Sequence, residues 1–293
     1  MYDLNKVGEH TYYIDAPTNL GIYLYNGNKV CMIDGGSDSD AAKKALQHIE
    51  ANGWTLEMVL NTHCHADHTG GCAYLADRTG CRNYAPGADA AIMRYSYLNP
   101  TYLFGGFPMK ELENKFTLAP PCDCLPLTED VLPEGLTCLH VDGHSFEQLA
   151  FRTSDDVWFM ADSLISAETF PKYKIAFLYD IQKHLDTLDR ISRLNGKLFI
   201  PSHCTPLTDI QQLAAINRDN VYEVAEDIKR LCRDGLTIDE LLEQLFAEYR
   251  IRLYIMQYAL VGYTTRSYLS WLSARGEIAP VFDGTRLLWK TVS

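Results

Sequence analysis

The sequence predicts an α/β fold (α+β in its finer arrangement) with a mostly helical C-terminal unit. Two observations carry this. Through about residue 207, short runs rich in Tyr, Ile and Val alternate with segments of helical period. From Asp209 onward helical periodicity dominates, until two last apolar runs flank Asp283-Gly284. Helices closed by a terminal hairpin predict a winged-helix-like shape. The chain is therefore divided into a first domain, residues 1–208, and a second, residues 209–293.

The elements follow in order. Strands are predicted at 12–14, 21–25 and 29–33, the last two joined at Asn26-Gly27-Asn28, a hairpin signal. Asp34-Gly35-Gly36 turns the chain. Ser37 or Ser39 is expected to cap a helix running to Asn52, and Gly53 to end it. Residues 58–60 form a short apolar strand that runs into a histidine cluster, and a helix is expected over 70–79. The segment 85–132 holds Pro100, Pro108, Pro120, Pro121 and Pro126 together with Gly105-Gly106, which argues against long regular elements and marks an excursion from the core. Strands resume at 136–141, 149–153 and 157–161, with Ser154-Asp155-Asp156 as a turn. A helix is expected over 180–194 and a strand over 198–200. Helices are then expected at 210–233, 238–249, 251–260 and 264–274. No literal repeat occurs.

The chain has 293 residues, a net charge of −12 and 22% charged residues. That balance repels nucleic acid and anionic membranes on average. No apolar stretch approaches the ~20 residues of a membrane span. The N-terminal residues lack the basic and apolar regions of a signal peptide, so the expected compartment is the cytoplasm. Nine scattered cysteines do not form a disulfide framework and are read as mostly buried thiols.

The chemistry lies in His63-Cys64-His65-Ala66-Asp67-His68, three imidazoles and a carboxylate within six residues. Both are ligands of zinc and of iron. A merely polar loop is the competing reading, but three of nine histidines seldom gather this way by chance.

His63-Cys64-His65-Ala66-Asp67-His68-Thr69-Gly70-Gly71 resembles the signature of the metallo-β-lactamase superfamily. The remaining pieces stand in the expected order: Asp34-Gly35-Gly36, Gly143-His144-Ser145, Asp162 and His203. The resemblance covers residues 10–207. It implies a four-layer αββα sandwich with the metal site at one edge of two sheets. It also implies one metal held by His63, His65 and His144, a second held by Asp67, His68 and His203, and Asp162 bridging them. Asp67, Asp162 and His203 would be the catalytic residues. Two Zn2+ are the expected cofactors, with Fe or Mn as alternatives, and a bridging hydroxide would be the nucleophile. Asp34 matches an acid that fixes a ligand histidine from behind; capping its own turn is an equal reading.

The set resembles glyoxalase II, lactonases and phosphodiesterases of the superfamily more than the antibiotic-hydrolysing members with a cysteine ligand. Ser145-Phe146-Glu147-Gln148 replaces a common Thr-Pro-Gly run, and Ile165 stands where some lactonases have Tyr, so substrate-binding residues are unassigned. His140 is read as a packed or hydrogen-bonded strand residue, and His10, His48 and His184 as surface residues. Cys64 and Cys204 adjoin ligands without being expected to point into the site. Tyr95, Tyr97, Tyr102, Phe104, Phe107, Tyr173 and Tyr179 are candidate pocket walls, with ordinary packing the stronger reading for each. Lys172 and Lys174 are read as solvated.

Residues 250–293 hold six basic residues against two acidic ones, but the basic residues are widely spaced. Packing onto the first domain or a twin subunit is favoured over nucleic-acid binding. The expected function is hydrolysis of an ester, thioester, lactone or phosphodiester in a small molecule. The alternatives are a mononuclear iron dioxygenase acting on persulfides and a ribonuclease gripping RNA with its C-terminal domain. No membrane partner is expected, and a homodimer is compatible with the sequence.

Overall fold

A computed structural model describes residues 2–292. The first sheet is built from β1 (Asp3–Lys6), β2 (Thr11–Asp15), β3 (Leu20–Tyr25), β4 (Lys29–Ile33), β5 (Thr55–Leu60), β6 (Arg82–Ala85) and β7 (Cys124–Pro126), in that spatial order. β1 to β4 form an antiparallel meander, and β4 to β7 are parallel. The helices inserted into the parallel part are α1 (Ser39–Ala51), α2 (Ala66–Thr69), α3 (Cys72–Thr79), α4 (Gly87–Arg94) and α5 (Leu98–Phe104). The second sheet has the order β11 (Leu198–Pro201), β10 (Val157–Ala161), β9 (Leu149–Arg152) and β8 (Thr137–His140), with α6 (Ile181–Ile191) crossing between β10 and β11. α7 (Gln211–Leu231), α8 (Ile238–Glu248), α9 (Ile255–Ala274) and the hairpin β12 (Ile278–Asp283) and β13 (Arg286–Thr291) complete the chain.

Alternation along the strands builds the layers. On β4, Val30 and Met32 face the core under α1 and α3, while Cys31 and Ile33 face the other sheet. On β10, Val157 and Phe159 face the first sheet, and Trp158 and Met160 face α6 and α7. Both sheets are thus covered on both faces, which gives the expected αββα sandwich. A further core joins Ile181 and Leu185 of α6 to α7, α8 and α9, so the C-terminal helices pack directly on the sandwich. No helix among the described residues is long and apolar enough to cross a membrane.

Several local expectations change. The cap of α1 is Asp38, whose carboxylate accepts from Ala41 N, rather than Ser37 or Ser39. The histidine cluster contains a short helix of its own, α2, ahead of α3. The excursion is helical in short pieces: Pro86 caps α4 and Pro100 sits in the first turn of α5, where a missing N–H costs no helical bond. The two helices expected over 251–274 are one, because no proline interrupts Val261 to Thr265 and Gly262, Thr264 and Thr265, which could end one helix and cap the next, are buried within it. All nine cysteines are free thiols, and six of them are buried.

Candidate metal centre

Strand ends deliver the functional residues. His63 and His65 follow β5, Asp67 and His68 lie on α2, His144 follows β8, Asp162 directly follows β10, and His203 follows β11. Ligands gathered at the carboxyl ends of strands match the general rule for open α/β sheets. Two glycines let the cluster close. Gly70 and Gly71 pass so near the 35–37 turn that an added Cβ would lie 2.3 Å from Ser37 O and 2.2 Å from Gly35 O. The turn and the cluster are then stitched together by Gly35 N to His68 O (2.8 Å) and Gly71 N to Gly36 O (3.0 Å).

The structure brings together all seven residues named as metal ligands, in two groups: His63, His65 and His144; and Asp67, His68, Asp162 and His203. In the first, His65 Nδ1 lies 3.0 Å from His63 Nε2 and 2.9 Å from His144 Nε2. In the second, His203 Nε2 lies 3.2 Å from Asp67 Oδ2 and 3.3 Å from Asp162 Oδ2. Asp162 faces both groups: Oδ2 is 3.4 Å from His144 Nε2, and Oδ1 is 3.2 Å from His68 Nε2. Cys64 and Cys204 stay outside both groups.

The residues fit a metal pair. His68 Nε2 and Asp162 Oδ1 are buried without a hydrogen-bond partner, since their contact lacks hydrogen-bond geometry. Such orphaned atoms are costly unless something occupies the space between them. The protonation preferences also suit cations. Burial, helped by neighbouring imidazoles, lowers the pKa of His63, His65 and His144, in His65 to about 3, so these nitrogens offer lone pairs. Burial also opposes charge on His68 and His203, but Asp162 and the other nearby carboxylates outweigh it and raise both. Against the same burial, His68 and His203 hold Asp67 and Asp162 ionised.

The outward nitrogens are anchored as metal-bound imidazoles require. Asp34 accepts from His68 Nδ1 at 2.8 Å and from Thr62 N and Oγ1 at 2.7 and 3.0 Å. It therefore ties the turn after β4 to both ends of the Thr62–His68 segment. His63 Nδ1 meets Thr62 Oγ1 (3.0 Å), His144 Nδ1 meets Phe177 O (3.0 Å) and His203 Nδ1 meets Pro17 O (2.9 Å).

Sequence reasoning missed Asp89. Its fully buried carboxylate accepts from Cys64 N (2.8 Å) and Glu147 N (3.1 Å), clamping the His63–His65 loop to the loop after His144. Glu147 in turn accepts from Ala88 N of α4 (2.9 Å). Burial pushes the pKa of Asp89 up to about 6. A lone acid within Gly87-Ala88-Asp89-Ala90-Ala91 was the available signal. His184, read as a surface residue, is buried on α6 beneath Gly143, because the tight turn before His144 packs onto that helix. His140 is exposed and contacts Asp142, while His10 is exposed as expected and His48 bonds Tyr2 O. Among the aromatic candidates, Tyr102 reaches His65 and Tyr179 packs on Phe146, while Tyr95, Tyr97, Phe104, Phe107 and Tyr173 are exposed. Lys174 pairs with Glu223.

A family model described as the metallo-β-lactamase superfamily matches residues 17–203. The chain is 23% identical to "Probable metallo-hydrolase YqjP" of Bacillus subtilis, over 92% of this chain and 93% of that protein. It is 30% identical to a hydroxyacylglutathione hydrolase of Rhodopseudomonas palustris, over 44% of this chain and 42% of that one. A crystal structure of a β-lactamase domain protein from Burkholderia ambifaria superposes with a TM-score of 0.76 at 19% identity, covering 99% of this chain and 94% of that chain. The matching relatives and the His/Asp cluster are consistent with a metal-dependent hydrolase, and the chain belongs to the metallo-β-lactamase superfamily.

Proposed function

We propose that this protein is a dinuclear hydrolase, with zinc as the resident metal, that cleaves an ester, thioester, lactone or phosphodiester bond in a small molecule. The observation that carries this reading is the Asp162 carboxylate, whose two oxygens face the two donor groups. A second full donor set, Asp67, His68, Asp162 and His203, favours two metals over the single iron of a dioxygenase. When bound, a pair of divalent cations supplies Lewis-acid polarisation and water acidified to near neutrality.

The chain's own residues supply the positioning. His63, His65 and His144 are kept unprotonated by burial. Asp67 is the more exposed carboxylate, at 29% against 11% for Asp162, and it accepts from Thr18 Oγ1 at 3.5 Å. That exposure suits Asp67 to orient an attacking water. His203, at 40% exposure, stands at the open side of the second group. The relatives named hydroxyacylglutathione hydrolases make an acylated thiol the first substrate class to try.

A ribonuclease reading gains less support. Arg275 pairs with Glu277 and Arg286 with Glu240, and Arg266 donates to Gly262 O, so these basic groups are engaged within the chain.

Elemental analysis of the purified protein, followed by a panel of thioesters, lactones, esters and phosphodiesters, tests the proposal. About two zinc per chain and hydrolysis that Asp162→Ala abolishes are expected. One iron per chain with oxygen uptake and no hydrolysis would overturn it.

A further inference from the structure

Four of the five clustered histidines are anchored by a backbone carbonyl or by a side chain just beyond a strand end: Thr62 for His63, Asp34 for His68, Phe177 O for His144 and Pro17 O for His203. His65 differs. Its Nδ1 points into the first group, so the proton lies on Nε2, which faces the phenol oxygen of Tyr102 at 3.3 Å. Tyr102 belongs to α5, inside the proline-rich excursion.

The Tyr102 ring is itself held from two sides. Phe146 meets it edge-on at 5.3 Å, and Tyr263 of α9 meets it at 5.4 Å. Tyr263 also stacks on Phe177, with centroids 5.2 Å apart and planes 14° apart. Phe177 closes the circuit, since its ring lies at 5.2 Å from His65 and 5.6 Å from His144, near-perpendicular to both. Contacts therefore run from His65 to Tyr102, to Tyr263, to Phe177 and back to His65. Aromatic pairs in such geometries attract one another beyond the effect of the area they bury.

We propose that Tyr102 is the positioning residue for His65, and that Tyr263 of the C-terminal helix holds Tyr102 in place, so that α9 is an integral part of the metal centre. The proposal rests on His65 being a metal ligand. The phenol acts as an acceptor for His65 Nε2–H and sets the ring's rotation and tautomer. A phenol is a weaker acceptor than a carboxylate. His65 is accordingly a less electron-rich donor than His68, whose outer nitrogen faces Asp34.

The test compares Tyr102→Phe, Tyr263→Ala, Tyr263→Phe and His65→Ala with the wild type in the full chain. Zinc dissociation constants are measured by chelator competition, the cobalt(II)-loaded proteins by visible absorption, and the metal-free proteins by thermal melting. Tyr102→Phe is expected to weaken one of two bound metals about 10- to 100-fold, and to alter the cobalt spectrum while leaving the metal-free melt in place. Tyr263→Ala should reproduce part of that loss, and Tyr263→Phe, which keeps the ring, should restore it. Should Tyr102→Phe fail to fold, the Tyr263 pair and the cobalt spectra decide. If His65→Ala loses one metal while Tyr102→Phe and Tyr263→Ala bind both like the wild type, the positioning role is overturned and the metal site stands. If His65→Ala binds metal unchanged, the ligand reading has failed and the positioning role fails with it.

Discussion

The Asp34 carboxylate sits 2.8 Å from His68 Nδ1 and 2.7 Å from Thr62 N, on a residue whose backbone is left-handed (φ 64°). A non-glycine residue in that conformation needs its surroundings to hold it there. Here the carboxylate does so, joining the turn after β4 to the cluster after β5.

Asp34→Asn keeps the shape and removes the charge. One amide must then replace a carboxylate that accepts from three donors. Metal affinity at the group containing His68 is expected to fall about 10- to 100-fold, read by chelator competition. Affinity equal to the wild type would show that Asp34 serves only its own turn.

Asp89→Ala leaves the buried N–H of Cys64 and the half-buried N–H of Glu147 without their acceptor. Each orphaned donor costs roughly 1–3 kcal/mol, so denaturant unfolding should show a loss of about 2–5 kcal/mol. Asp89→Asn keeps one acceptor and should lose less. Equal losses for both variants would count against the two-pronged clamp.

Gly71→Ala places a methyl group 2.2 Å from Gly35 O. Backbone cannot yield that distance without opening the contact between the 34–37 turn and α2. The variant is expected to lose the metal group containing Asp67 and His68, and to melt at lower temperature. Wild-type metal content at two per chain would contradict the close-approach argument.

Burial sets a pH limit on the metal-free protein. His65 and His184 are both pushed down to about 3, first by burial and then by the nearby His144. In the unfolded chain each titrates near 6.5. Between about pH 3 and 6.5 the unfolded state therefore binds more protons, and stability falls as pH falls through that window. Each group contributes on the order of a few kcal/mol to the drop. His184→Gln cannot protonate and should flatten the profile of the metal-free protein by one proton's worth. An unchanged slope from pH 6.5 to 4 would refute the burial argument.

Much of the site was readable before any coordinates because its chemistry is local. His63, His65, Asp67 and His68 lie within six residues, and the family resemblance picked out His144, Asp162 and His203, each after a short apolar run that becomes a strand. The strands were readable for a similar reason: largely buried runs such as β4 and β10 are mostly apolar and bounded by Asn, Gly and Asp, whereas their assembly into a sandwich was implied by the family resemblance.

Apart from Asp34, the anchors were not readable. His144 and His203 are fixed by the carbonyls of Phe177 and Pro17, and a backbone carbonyl carries no residue-type signature. Asp89 and Tyr102 act across loops whose course depends on packing. The burial of His184 follows from Gly143 lying against α6, and the continuity of α9 from the burial of its Val261–Thr265 stretch, which overrides the stop signal at Gly262.

The amino-acid sequence by itself offered the candidate metal ligands, the His63–His68 cluster through ligand chemistry packed within six residues and His144, Asp162 and His203 through the family motifs that follow short apolar runs. Only the tertiary structure decided how those ligands are oriented. Orientation comes from hydrogen bonds and ring contacts between residues far apart in the chain, as in the approach of Tyr263 on α9 to Tyr102 beside His65.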